Sequence, residues 1–108
     1  MKKIERIEGS KVLLDTEKDA KLWDGHQGRK GGNSPTRWID LHMHERKDGA
    51  KTFFLAHYTQ WQGESSYVEA LDLQDAQKFA EEHAQDLLDD YEEAYLKEIG
   101  LIDMSGVE

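Results

Sequence analysis

Apolar and polar residues alternate along two consecutive stretches, Arg37 to Arg46 and Lys51 to Thr59, with Lys47-Asp48-Gly49-Ala50 between them. A period of two on both sides of an Asp-Gly predicts a β-hairpin. With Asp48-Gly49 at the turn and Arg46 opposite Lys51, Ile39, Leu41 and Met43 share a face with Phe54, Ala56 and Tyr58. That face is the expected core. The other face carries Trp38, Asp40, His42, His44 and Arg46 beside Lys51, Phe53, Leu55, His57 and Thr59, and is only half polar. The register rests on Asp48-Gly49, and a slip of one residue changes the cross-strand partners.

Around this hairpin the pattern continues in shorter pieces. Lys11 to Leu14 reads as a strand and Ile4 to Ile7 as its partner, with Glu8-Gly9-Ser10 between. Thr16 with Asp19 three residues on fits the cap of a short helix through Leu22, while Ala20 to Trp23 fits a brief strand equally well. Asp24 to Thr36 holds four glycines and the only proline with nothing apolar, and is expected to be a loop. Trp61 to Ser65 is a second turn, and Ser66 to Leu71 a further strand.

From Leu73 the period changes. Leu73, Ala76, Phe79, Ala80, His83, Leu87, Leu88, Tyr91, Tyr95 and Ile99 fall at helical spacing. Asp72 is the expected N-cap and Gly100 the expected stop. An unbroken helix here would have about 27 residues and a length of about 40 Å, more than a domain of this size is wide. Either it breaks near Asp89-Asp90, or its end projects and meets a second chain. The expected fold is therefore α+β: an antiparallel meander of three to five strands packed in two layers against one long C-terminal amphipathic helix. Residues 1–100 form this domain, and 101–108 are a flexible tail.

Composition narrows the class. The chain of 108 residues is 37% hydrophobic and 34% charged, yet has three Trp, four Tyr and three Phe, which argues against disorder. No apolar run reaches the roughly 20 residues of a membrane helix, and Met1-Lys2-Lys3 leads into no apolar signal segment. A cytoplasmic protein is expected. Without cysteine there is no disulfide or thiolate chemistry. The net charge of −9 is unevenly placed: residues 1–60 hold 12 Lys and Arg against 9 Asp and Glu, and residues 61–108 hold 2 against 14. One surface is thus suited to an anionic partner that another surface repels.

Phe53 to His83 carries an aromatic strand, then Thr59-Gln60-Trp61-Gln62-Gly63-Glu64, then an acidic helix start with Ala76 and Phe79. It resembles a pattern that recurs in short uncharacterised prokaryotic proteins. The resemblance covers about a third of the chain and implies a hairpin, turn and helix in a prokaryotic protein. It implies no activity and no functional residue.

Three kinds of chemistry can be placed on these elements. In the predicted register His42, His44 and His57 share a face, and imidazoles with a carboxylate can ligate zinc and activate water. Polar side chains on the solvent face of a sheet are the simpler explanation, since the spacing matches no ligand signature. Arg29 and Lys30 in the Gly-rich loop, with Arg37, Trp38, Phe53 and Trp61, make a basic and aromatic set of the kind that holds single-stranded nucleic acid, against which the total charge acts. The acidic helix suits a basic protein surface, or is simply a solvated exterior. There is no nucleophile elbow, phosphate loop or cofactor motif. The chain is therefore expected to be a non-enzymatic protein-binding or regulatory module without cofactor, self-associating through the helix end. Nucleic-acid binding is the second reading and a metal-dependent activity the third.

Overall fold

The hairpin forms, with a different turn. β4 (Arg37–Glu45) and β5 (Lys51–Thr59) pair antiparallel with Glu45 opposite Lys51 and Arg37 opposite Thr59. The Arg46 N–H donates to the Ala50 carbonyl at 2.8 Å, and the Gly49 N–H donates to the Arg46 carbonyl at 2.9 Å. Three residues, Lys47 to Gly49, therefore make the loop, with Gly49 at φ +88° as the left-handed residue that follows a type I turn. The Asp48 carboxylate accepts from the Ala50 N–H at 3.0 Å and locks the turn. Arg46 opposite Ala50 shifts the predicted register by one residue, and the faces are reassigned accordingly. Leu41 and Met43 pair with Leu55 and Phe53, and Ile39 with His57. On the other face His42 pairs with Phe54 and Asp40 with Ala56.

The computed structural model describes residues 1–25 and 37–102. The chain divides into two units, Met1–Ala70 and Leu71–Glu108, and it is α+β. In the first unit β1 (Lys2–Ile7) and β2 (Ser10–Asp15) form a two-stranded antiparallel ribbon. Its turn, Glu8-Gly9, has φ of +50° and +82°, as a two-residue hairpin loop requires. The second sheet has the order β3-β4-β5-β6, with β3 at Ala20–Asp24 and β6 at Tyr67–Leu71. The segment that fitted either a helix or a strand is thus strand β3, with an irregularity between Lys21 and Trp23. The six strands exceed the three to five expected, because β1 and β2 form a separate sheet. Val12 and Leu14 of the ribbon pack with Phe54 and Val68, and Met1, Ile7 and Ala70 close the cluster. Burying Phe54 fully contributes about 2 to 3 kcal/mol over leaving it exposed. The ribbon therefore covers the His42 face of the hairpin.

In the second unit the expected single helix is three: α1 (Leu73–Glu82), α2 (Ala84–Asp90) and α3 (Glu93–Glu98). Asp72 caps α1 as predicted, accepting from the Asp75 N–H at 2.7 Å. His83 ends α1 at φ −119°, and Tyr91 is extended at φ −132°, ψ 149°. The second break follows from charge. In one continuous helix Asp89 and Asp90 would lie one turn from Glu92 and Glu93, a repulsive spacing. Restarting at Glu92 instead puts Glu93 in a first turn, where the helix dipole favours an acid. With the helix broken, the length that suggested a projecting end no longer exists. Gly100 at φ +83° stops α3. The N–H groups of Leu101 and Ile102 both reach the Leu96 carbonyl. Leu101, placed in the expected tail, is buried; residues 103–108 lie outside the described residues.

Candidate binding surface

Arg37 opens β4 directly opposite Thr59, the last residue of β5. Beyond Thr59 the chain turns sharply, with the Glu64 N–H donating to the Trp61 carbonyl at 3.2 Å and Gly63 at φ +88°. This turn carries Glu64 back over the strand ends. Its carboxylate accepts from Arg37 Nε at 3.0 Å and Nη2 at 2.7 Å, and from the Thr59 hydroxyl at 2.7 Å. These donors hold the Glu64 carboxyl below the usual carboxylate range, Arg37 foremost, and the same contact raises the Arg37 pKa. Thr59 Oγ1 in turn accepts from the Trp61 N–H at 3.1 Å. The Arg37 guanidinium carbon lies 5.6 Å from the centroid of the Trp61 ring, within cation–π range. Trp61 is nevertheless 54% exposed.

Two residues earlier on the same face of β5, His57 Nε2 lies 2.8 Å from the Glu69 carboxylate. The His57 ring stacks on Tyr67 at 4.3 Å between centroids and 9° between planes. Tyr67 is also exposed. Exposed aromatics are thus supported at this end of the sheet by polar side chains already paired with each other.

Of the residues singled out in the sequence, Arg37 and Trp61 come together here. Trp38 lies on the opposite face, stacked on Tyr58 at 5.2 Å. Phe53 is only 2% exposed and is core. Arg29 and Lys30 lie outside the described residues. The sequence pattern does not single out Glu64, Tyr67 or Glu69 as site residues; for Glu64 the signal is the Trp-Gln-Gly-Glu turn, whose Gly63 returns it to Arg37.

The histidines separate. His57 is opposite Ile39, on the other face of the hairpin from His42 and His44. His44 Nδ1 lies 2.8 Å from Asp19, whose second oxygen accepts from the Asp15 N–H, so His44 anchors the β2–β3 turn. His42 is buried against Phe54, ring on ring at 5.0 Å and 13°. Neither of its ring nitrogens has a hydrogen-bond partner among the described residues. Burial pushes its pKa down, and Asp40 and Asp19 only partly oppose this. Asp40, also buried, has its pKa raised by burial, although the Gly25 N–H donates to it at 3.0 Å and Lys21 Nζ is 3.5 Å away. Burial works against the Lys21 charge, but Asp40 and Asp24 outweigh it and raise its pKa. Gly25 can approach because it has no side chain: a Cβ there would run into the Ile39 carbonyl. Among the described residues no group of three or more His, Asp and Glu could hold a metal ion.

No family model, no curated protein and no solved structure matches the chain.

Proposed function

We propose that this chain is a non-enzymatic protein-binding module that meets its partner through Trp61, Tyr67 and the Arg37–Glu64 pair. The observation that carries the reading is Trp61: a large aromatic ring more than half exposed, yet held on a turn by Arg37 above it and Thr59 behind it. Rigid Trp, Tyr and Arg side chains are those that dominate binding energy at protein interfaces, since they bury much area at little entropic cost. A protein partner is favoured over single-stranded nucleic acid by the bidentate contact to Glu64. That contact neutralises the cation a phosphate would need.

Trp61→Ala tests the surface, because a truncated anchor at an interface costs about 2 kcal/mol or more, roughly 30-fold in affinity. Used as bait beside the wild type in native extract, the variant is expected to lose a partner that the wild type retains, with an unchanged circular-dichroism spectrum. Equal recovery of the same proteins by both baits would remove Trp61 from the interface.

A further inference from the structure

At the end of β4 away from Arg37, a second arginine is held differently. Arg46 follows the last residue of the strand, and its side chain is only 15% exposed. Its Nη2 donates to Glu8 Oε2 at 3.0 Å. Its Nε is buried without a hydrogen-bond partner among the described residues, with Asp48 Oδ1 at 3.8 Å. In Arg37 the same Nε–Nη2 edge holds both oxygens of Glu64. An edge shaped for two oxygens of one anion is thus fully used at one end of β4 and half used at the other.

Glu8 reaches Arg46 from the tip of the β1–β2 ribbon. With φ at +50° it is the one non-glycine residue in the left-handed region among the described residues. Gly, Asn and Asp take this turn position at little cost, and glutamate does not. A disfavoured backbone kept at such a place points to a use for its side chain. That side chain is 77% exposed, so its pair with Arg46 is of the weak, solvent-screened kind. An external anion can displace it.

Arg46 also lines a cavity of about 520 Å³ between β2 and the hairpin turn, a volume typical of small-molecule sites. Lys11 and Lys47 line it too, and neither makes an ion pair among the described residues. Arg6 stands directly opposite Lys11 and adds a like charge. Two acids belong to the lining, and both have partners: Glu45 holds Lys51 at 2.7 Å, and Asp48 accepts from the Ala50 N–H at 3.0 Å. His44 is taken by Asp19, and Leu13, 45% exposed, supplies an apolar wall. The net charge of −9 arises elsewhere in the chain. Residues 1–70 hold 12 Lys and Arg against 11 Asp and Glu, and residues 71–108 hold 2 against 12.

We propose that this cavity binds a phosphate monoester, with two phosphate oxygens on the Arg46 Nε–Nη2 edge in place of Glu8, Lys11 and Lys47 balancing the charge, and the organic part along Leu13. A carboxylate is the weaker fit. It brings no more charge than Glu8, which is tethered beside Arg46 and so present at high effective concentration. A phosphate monoester brings a charge of about −1.5 to −2 and three acceptor oxygens. Glu8 is then a resident occupant that gives way to the ligand. The site does not depend on the role given to Trp61.

Phenyl phosphate and benzoate are the probes, followed by the NMR shifts of the Arg46 Nε–H and of the backbone amides that line the cavity. Phenyl phosphate is expected to bind saturably, and benzoate at least about tenfold more weakly. Arg46→Lys keeps the charge and loses the fork, and is expected to weaken phenyl phosphate binding at least about tenfold. Lys11→Gln, at an exposed position, is expected to weaken it about threefold. Glu8→Gln removes the resident carboxylate and is expected to tighten binding about two- to fivefold. Amide spectra unchanged away from the cavity show that each variant is folded. No saturable shift up to about 10 mM phenyl phosphate, in the wild type and in Glu8→Gln alike, would overturn the proposal. So would binding that persists unchanged in Arg46→Lys and Lys11→Gln. Benzoate binding as tightly as phenyl phosphate would overturn the choice of phosphate and assign the cavity to carboxylates. A Glu8→Gln variant that binds no tighter than the wild type would overturn the displacement and leave Glu8 a staple between ribbon and hairpin.

Discussion

His42 is 1% exposed, and neither ring nitrogen is hydrogen-bonded within the described residues, so protonating it in place is costly. Its folded pKa lies below the ordinary 6.5. The neutral ring therefore contributes stability that is present above pH 6.5 and is lost as pH falls through the folded value. Asp40 acts in the opposite sense. Its pKa is raised above 3.8, so its contribution is full below that pH and declines as pH rises through the folded value. His42→Phe keeps a ring against Phe54 and removes the titration. Urea unfolding between pH 7.5 and 5 is expected to show the wild type losing stability at up to about 1.4 kcal/mol per pH unit, with the variant clearly flatter. Parallel curves for the two proteins would show that His42 does not set the acid limb. That His42 is buried was not legible in the sequence. Its alternation with Leu41 and Met43 placed it on a half-polar face, and its cover, Val12 and Leu14, comes from about 30 residues earlier in the chain.

At the scale of elements, short-range chemistry was the most readable. The hairpin, the cap at Asp72, the stop at Gly100 and the ribbon partner of Lys11 to Leu14 all follow from neighbouring residues. The hairpin register did not, because Lys47-Asp48-Gly49-Ala50 suits more than one loop length and the choice rests on which residue takes the left-handed conformation. Gly49 takes it, at φ +88°, with open space where a Cβ would point. Gly49→Ala is thus expected to cost about 1 kcal/mol through backbone strain alone. Chemical denaturation measures it, and an unchanged midpoint would mean that the turn does not hold this conformation. The helix breaks were half legible. The acidic run at Asp89-Asp90 marked the place, whereas the earlier break at His83 lies in a stretch whose apolar spacing continues without interruption.

For the whole molecule, charge is divided along the chain, with most acids after residue 60. Five of the ten described basic residues before that point are in ion pairs, among them Arg37–Glu64 beside Trp61, Arg46–Glu8 and Lys51–Glu45. A short single-stranded oligonucleotide is accordingly expected to leave tryptophan emission unchanged even at low salt, where backbone contacts are strongest. Saturable quenching would reinstate nucleic acid as the ligand.

Short-range pattern settles that Lys11 to Leu14, Arg37 to Glu45, Lys51 to Thr59 and Tyr67 to Leu71 are strands, that a helix starts after Asp72 and a stop comes at Gly100, and how charge is shared between the two halves of the chain, since each is read from the residues themselves and their near neighbours. Three-dimensional packing determines the pairing offset between β4 and β5, the separation of His57 from His42 and His44, and the burial of Phe53. It also brings Glu64 to Arg37 beside Trp61. The physical reason is common to these: alternation tells which residues of one strand share a side, but only the hydrogen bonds of the turn tell which residues of the next strand they join. Only long-range contacts tell which side meets water.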